Sequence, residues 1–173
     1  MKKPNTRTMA KAALIAAAYA ALTWLSELLG IGYGAVQFRL SEALTILPVF
    51  TPAAIPGLTL GCAIANLSSS LGPIDIFVGS LATFLQSLCC RKLRSFRQKN
   101  IPFLSLIMPI FFNAVFVGVE IAALTAGSDG FLSVFAPTAL SVGFGETVVC
   151  FVLSLPLFRL IENREALKKI IQD

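Results

Sequence analysis

Stretches of about twenty mostly apolar residues recur along this chain, and no other feature constrains its folding as strongly. A helix needs about 20 such residues, rising 1.5 Å each, to cross a hydrocarbon core about 30 Å thick. Six apolar segments can be drawn, at about 8–29, 39–50, 57–67, 75–90, 101–126 and 134–160, followed by a charged tail over 161–173. Only 13% of the 173 residues are charged, where a soluble domain carries about 25%; mean hydropathy is +0.81. The expectation is an all-α integral membrane protein, one membrane domain of six transmembrane helices. The basic start MKKPNTRTMAK runs into the first span without a small-residue cleavage site, so that span is expected to be retained.

The second and third segments are short, and Pro52 and Pro56 interrupt the chain between them. Irregular backbone at membrane depth is tolerated only where protein or a water-filled cavity surrounds it, and in transporters it often marks the binding site. A kinked hairpin without a functional role is the other reading.

Basic residues give the topology. Lys2, Lys3, Arg7 and Lys11 precede the first span. Arg91, Lys92, Arg94, Arg97 and Lys99 fill the loop after the fourth, and Arg159, Arg164, Lys168 and Lys169 flank the tail. With six crossings, thirteen of the fourteen basic residues fall on one side, so both termini are expected in the cytoplasm. The net charge of +5 is then a topology signal and not a nucleic-acid footprint. Arg39 is the exception.

Catalytic and metal chemistry find little support. There is no histidine, and Cys62, Cys89, Cys90 and Cys150 show no C-x-x-C spacing, which argues against zinc, redox and triad chemistry. No phosphate-binding loop is present, since GFGET lacks the strand-to-helix setting. An enzyme is not expected, nor a cofactor held by this chain.

The acids point elsewhere. Glu27, Glu42, Asp75, Glu120, Asp129 and Glu146 fall in outer loops or within spans, where each ionisable group costs roughly 2.5–3.5 kcal/mol and normally faces a partner or a cavity. Asp129, in GSDG, reads as a turn residue. Arg39 and Glu42 are three apart and would share a helix face; Asn113 and Glu120 are seven apart, nearly two turns. One cation against five acids leaves surplus acceptors, which suit an outward-open site for a ligand rich in N–H donors or for a cation. Asn66, Asn113, Gln37 and Gln86 would refine such a site, and Phe38, Phe77, Phe84 and Phe116 offer flat walls. The alternatives are a helix cap for Asp75, and internal pairing of Glu120 and Glu146 with each other or with Arg39. Trp24 and Tyr33 read as interface anchors. On the first helix Ala13, Ala17 and Ala21 form a small-residue stripe beside Ala12, Ala16 and Ala20, and Ser141 and Gly145 have the same spacing. Such stripes admit a close helix partner, from this bundle or from another subunit.

The runs YGAVQFRLSEALTILPVF, GLTLGCAIANL, GPIDIFVGSLATFL, FNAVFVGVEI and ALSVGFGETV, over roughly residues 6–160, resemble the QueT family. Members are substrate-binding S components of energy-coupling factor (ECF) transporters, associated with uptake of queuosine precursors. The resemblance implies the six-helix S-component fold in a bacterial plasma membrane. It also implies partners: a transmembrane coupling protein, EcfT, and two cytoplasmic ATPases that use the ATP. The stripe matching the family's coupling surface is Ala13, Ala17 and Ala21. The implied ligands are 7-deazaguanines: queuine, or its aminomethyl (preQ1) and cyano (preQ0) precursors. Depth and charge then nominate Glu120 and Glu146 as ligand-facing acids, Asp75 next, with Asn113, Asn66 and Phe38 around them. Arg39 and Glu42 are expected to pair and shape the outer loop and second helix, unless Arg39 donates to the ligand's O6. The competing readings are an S component for cobalamin or riboflavin, a stand-alone secondary carrier, or a structural membrane protein.

Overall fold

A computed structural model of the chain describes residues 5–32, 37–69, 71–127 and 130–172; Lys2, Lys3, Tyr33, Asp129 and Asp173 lie outside them. The regular structure in these residues is helical, apart from one isolated bridge between Gln98 and Ile101. Helix α1 spans Thr6–Leu28, and the Asn5 side chain caps it by accepting from the Arg7 N–H. A 3-10 helix follows over Leu40–Val49, then α2 over Ala54–Ala65, continued by a 3-10 turn at Asn66–Ser68. Helix α3 spans Pro73–Leu93. It starts after Gly72, whose φ of +76° suits glycine, with Pro73 at the first helical position. Helices α4 and α5 span Phe103–Thr125 and Phe131–Val149. A π-helical turn at Cys150–Ser154 joins α5 to α6, Leu155–Asn163, and α7 covers Glu165–Ile171 within the expected tail.

Among the described residues, four helical stretches are long and apolar enough to cross a membrane: Thr6–Leu28, Pro73–Leu93, Phe103–Thr125 and Phe131–Asn163. The segments expected at 39–50 and 57–67 are the two shorter apolar helices, Leu40–Val49 and Ala54–Ser68. At about 2.0 Å per residue, a ten-residue 3-10 helix reaches about 20 Å. An α-helix of equal length would reach about 15 Å.

Helices α1 to α5 pack in chain order, each against the next. The 3-10 helix sits among them, touching α1, α2, α3, α4, α5, α6 and the π turn. Its lower half is greasy: Ile46, Leu47 and Val49 join Leu58, Leu106, Phe158 and Ile161 in the main apolar cluster. Runs of 3-10 helix rarely exceed three or four residues, and this one contains Pro48, which has no N–H. Side chains, most of them from distant elements, compensate. Ser26 Oγ accepts the Leu40 N–H at 2.9 Å. The Glu42 carbonyl accepts from Thr45 Oγ1 and Ser154 Oγ at 2.6 and 3.2 Å. The Arg91 guanidinium donates to the carbonyls of Pro48 and Val49, both at 3.1 Å.

Small residues set two contacts. A Cβ at Gly57 would lie 2.8 Å from the Ala12 carbonyl oxygen, and one at Gly61 2.8 Å from that of Ala16. The Ala12, Ala16 and Ala20 stripe is therefore spent on α2, and Ala13, Ala17 and Ala21 stay exposed on the other face of α1. Gly118 and Gly143 bring α4 and α5 together against Ala139 and Ala114, and Gly145 is buried on α5.

The two ends differ in charge. Lys11 donates to the carbonyls of Ile171 and Gln172, and Arg97 pairs with Glu162 at 2.9 Å. The start of α1, the end of α3 and the last helices thus share one basic end. Arg39, Asp75 and the second half of α4 lie toward the opposite end.

Candidate functional site

A polar stripe on α1 begins the site. Tyr19, Thr23 and Ser26 fall at i, i+4 and i+7, one face of a helix, and all three are buried. Thr23 Oγ1 donates to Ser41 Oγ at 2.8 Å. The Tyr19 hydroxyl donates to Glu42 Oε1, while Gln86 Nε2, from α3, reaches Glu42 Oε2 at 3.4 Å. Glu42 is thereby enclosed, 1% exposed.

This corrects the expected Arg39–Glu42 pair. Arg39 stands before the 3-10 helix with extended backbone, φ −98° and ψ 108°, so the two residues do not share a helical face. Its guanidinium acts on Glu42, Tyr19 and Asp75 through charge, with no hydrogen bond or ion pair among the described residues. Phe38 and Gln37 beside it are half-buried.

Asp75 lies in the first turn of α3 and ties down the connection from α2. Asn66 Nδ2 donates to its carbonyl at 2.9 Å and to its Oδ1 at 3.3 Å, and the Ser69 hydroxyl donates to its Oδ2. Both carboxylate oxygens are therefore engaged within the α2–α3 turn.

Glu120 and Glu146 differ from that pattern. Asn113 Nδ2 on α4 donates to Glu146 Oε1 on α5 at 2.8 Å. Glu146 Oε2, both oxygens of Glu120 and Gln86 Oε1 are buried without a hydrogen-bond partner among the described residues. Charge links Arg39 to both acids as well. The result is a bundle interior with several unanswered acceptors and one cation, an arrangement suited to a ligand that brings N–H donors. Burying such acceptors alone is costly, since an amide or hydroxyl without a partner already costs roughly 1–3 kcal/mol.

Other expected residues are placed elsewhere. Phe77 and Phe84 are 71% and 40% exposed on the outer face of α3 and do not wall this interior. Phe116 is half-buried and lines, with Glu120, a groove of about 440 Å³ between α3 and α4. Trp24 is exposed on α1. The four cysteines are free thiols, and among the described residues no cluster of three or more possible ligands could hold a metal. Sequence reasoning missed Tyr19, Thr23, Ser26 and Ser41. For the three on α1 the signal was available in their helical spacing within an apolar span; Ser41 carried no such signal.

Comparison with known proteins follows the same line. The model of the QueT transporter family matches residues 9–163. The chain is 39% identical over 85 residues to "Queuosine precursor transporter QueT" of Lactococcus lactis subsp. cremoris (strain MG1363). That alignment covers 49% of this chain and 50% of the relative, so the chain spans about half the length of the curated relative it matches. No solved structure matches.

Proposed function

Since this chain belongs to the QueT transporter family, we propose that it is the membrane-embedded binding subunit of an importer for a queuosine precursor. It is a multi-pass membrane protein of a transporter family, not of an enzyme family. The observation that carries the substrate reading is the set of buried acceptors on Glu120, Glu146 and Gln86 that lack donors among the described residues. A guanine edge presents N1–H and a two-hydrogen amino group, and a carboxylate accepts both in a fork.

In this reading Glu146, held by Asn113, and Glu120 contact the ligand, with Glu42 and Gln86 behind them. Arg39 is free to donate to the ligand's O6. Asp75 and Asn66 hold the rim, and Phe38 borders it. By the positive-inside rule the basic end is cytoplasmic, both termini with it, and the acid-rich interior opens outward. A bacterial plasma membrane fits the Lactococcus relative. Docking on EcfT through the exposed Ala13, Ala17 and Ala21, with ATP used by two ATPases, completes the cycle; the exposure of that stripe supports it.

Calorimetric titration of the purified chain tests this. Queuine, preQ1 or preQ0 is expected to bind more tightly than guanine, riboflavin or cobalamin. Glu120→Ala and Glu146→Ala are each expected to abolish binding. Unchanged affinity in both variants removes the site assignment, and tighter binding of a vitamin removes the substrate.

A further inference from the structure

The basic end of the bundle, opposite the acid-rich interior, contains a polar cavity of its own. It measures about 450 Å³ and lies between the turn after the 3-10 helix, at Phe50 and Pro52, and the end of α3, at Arg91, Arg94 and Arg97. Its lining is mostly polar, and among the described residues no acidic side chain belongs to it. Arg91 holds the carbonyls of Pro48 and Val49. Arg97 pairs with Glu162 at 2.9 Å and lies over the Phe158 ring at 5.6 Å. Glu162 also takes Lys168, at 3.3 Å, so one carboxylate answers two cations. Arg94 is exposed, and its side chain has no hydrogen bond or ion pair among the described residues. The cavity keeps a positive surplus in a space of the size that small molecules occupy, about 300–1,000 Å³.

Its depth narrows the choice of anion. Arg94 directly follows α3 and Phe103 opens α4, and both helices are long and apolar enough to span a membrane. The chain between their ends sits where hydrocarbon gives way to headgroups. Arg97 also lines a smaller, mainly apolar cleft with Phe96, Phe103 and Leu104, all three exposed. Exposed aromatic and aliphatic side chains at this level suit lipid better than water. We propose that the arginine cavity binds the phosphate of an anionic phospholipid, with Arg94 and Arg97 as its donors. Guanidinium groups match phosphate oxygens in a bidentate fork, and basic pockets between helix ends suit acidic headgroups. The polyol of the headgroup takes the rest of the volume, and Phe96, Phe103 and Leu104 face the acyl chains. A lipid held there links the end of α3 to the turn after the 3-10 helix, the two elements that Arg91 already joins. The site is separate from the transport interior and does not depend on the identity of the substrate.

The test is the melting midpoint of the full purified chain in a non-ionic detergent, titrated with phosphatidylglycerol or with phosphatidylcholine of the same acyl chains. Phosphatidylglycerol is expected to raise the midpoint saturably, as a ligand of the folded state does. Phosphatidylcholine, inorganic phosphate and glycerol 3-phosphate at the same concentration are expected to leave it in place. In Arg94→Gln the apparent affinity for phosphatidylglycerol is expected to fall about fivefold. Lys92→Gln, which removes an exposed charge beside the cavity but not of its lining, is expected to keep wild-type affinity. Ser95→Glu puts a carboxylate at the lining and is a second probe should Arg94→Gln fail to fold; a fall of about fivefold or more is expected. Equal losses in Lys92→Gln and Arg94→Gln overturn the site, since they show attraction to the basic surface as a whole. Equal stabilisation by phosphatidylcholine or by either soluble phosphate overturns the lipid assignment. Unchanged affinity in Arg94→Gln or Ser95→Glu overturns it as well, and if Arg94→Gln then loses co-purifying ATPase subunits, the cavity belongs to an acidic protein segment instead.

Discussion

The Tyr19 hydroxyl donates to the Glu42 carboxylate, joining the buried face of α1 to the first turn of the 3-10 helix. Gln86 holds the other carboxylate oxygen from α3, so one side chain ties three elements together. Tyr19→Phe keeps the packing of the ring and removes only the donor, leaving a buried acceptor unanswered. The expected loss is about 1.5–3 kcal/mol, the range for hydrogen bonds to charged groups. Thermal unfolding of the purified protein reads it as a lowered midpoint; an unshifted midpoint would show that Glu42 is held by other groups.

Gly61 is the tightest point between α1 and α2. A Cβ there would lie 2.8 Å from both the Ala16 carbonyl oxygen and Tyr19 Cβ. Neither neighbour is the far end of a flexible side chain, so Gly61→Val has to push the helices apart. It also displaces Tyr19 from Glu42. The expected cost is about 1–3 kcal/mol from overpacking, together with weakened ligand binding. Melting and titration on the same sample check it, and wild-type behaviour in both would contradict the close approach.

Arg91 anchors the other end of the 3-10 helix. Its guanidinium holds the carbonyls of Pro48 and Val49, and it leaves α3 at the basic end. Arg91→Gln removes a charged donor to two carbonyls and is expected to cost about 1.5–3 kcal/mol. Hydrogen exchange is expected to rise first over Leu40–Val49, because that helix depends on outside donors. Faster exchange confined to the α3 C-terminus would contradict the anchoring role.

The apolar segments and the polarity of the two ends were legible because hydropathy is a local property, summed over one stretch of chain. The 3-10 helix was not. Over ten residues a period of 3.0 and one of 3.6 are hard to separate, and the donors that sustain it, Arg91 and Ser154, lie far along the sequence. The Arg39–Glu42 pair failed for a related reason. A spacing of three implies contact only if both residues are helical, and the helix starts after Arg39. Spacing also marked Glu120 and Glu146 as exceptional, but only the packing distinguishes Glu146, partnered by Asn113, from Glu120, which has no hydrogen-bond partner among the described residues.

The two alanine stripes of α1 have separate fates, and that separation can be tested. Ala12, Ala16 and Ala20 face α2 across Gly57 and Gly61, while Ala13, Ala17 and Ala21 are exposed, together with the neighbouring Leu14. If the exposed stripe docks on a coupling subunit, a large side chain there prevents close helix approach without touching the bundle interior. Ala17→Phe is therefore expected to leave the melting midpoint of the isolated chain within about 0.5 kcal/mol of wild type. Co-purification with the coupling protein and its ATPases, and precursor uptake by cells, should be lost. Ala16→Phe makes the contrast, since its side chain would be driven into Gly61 and should destabilise the isolated chain. Normal uptake with Ala17→Phe would place the coupling surface on another helix.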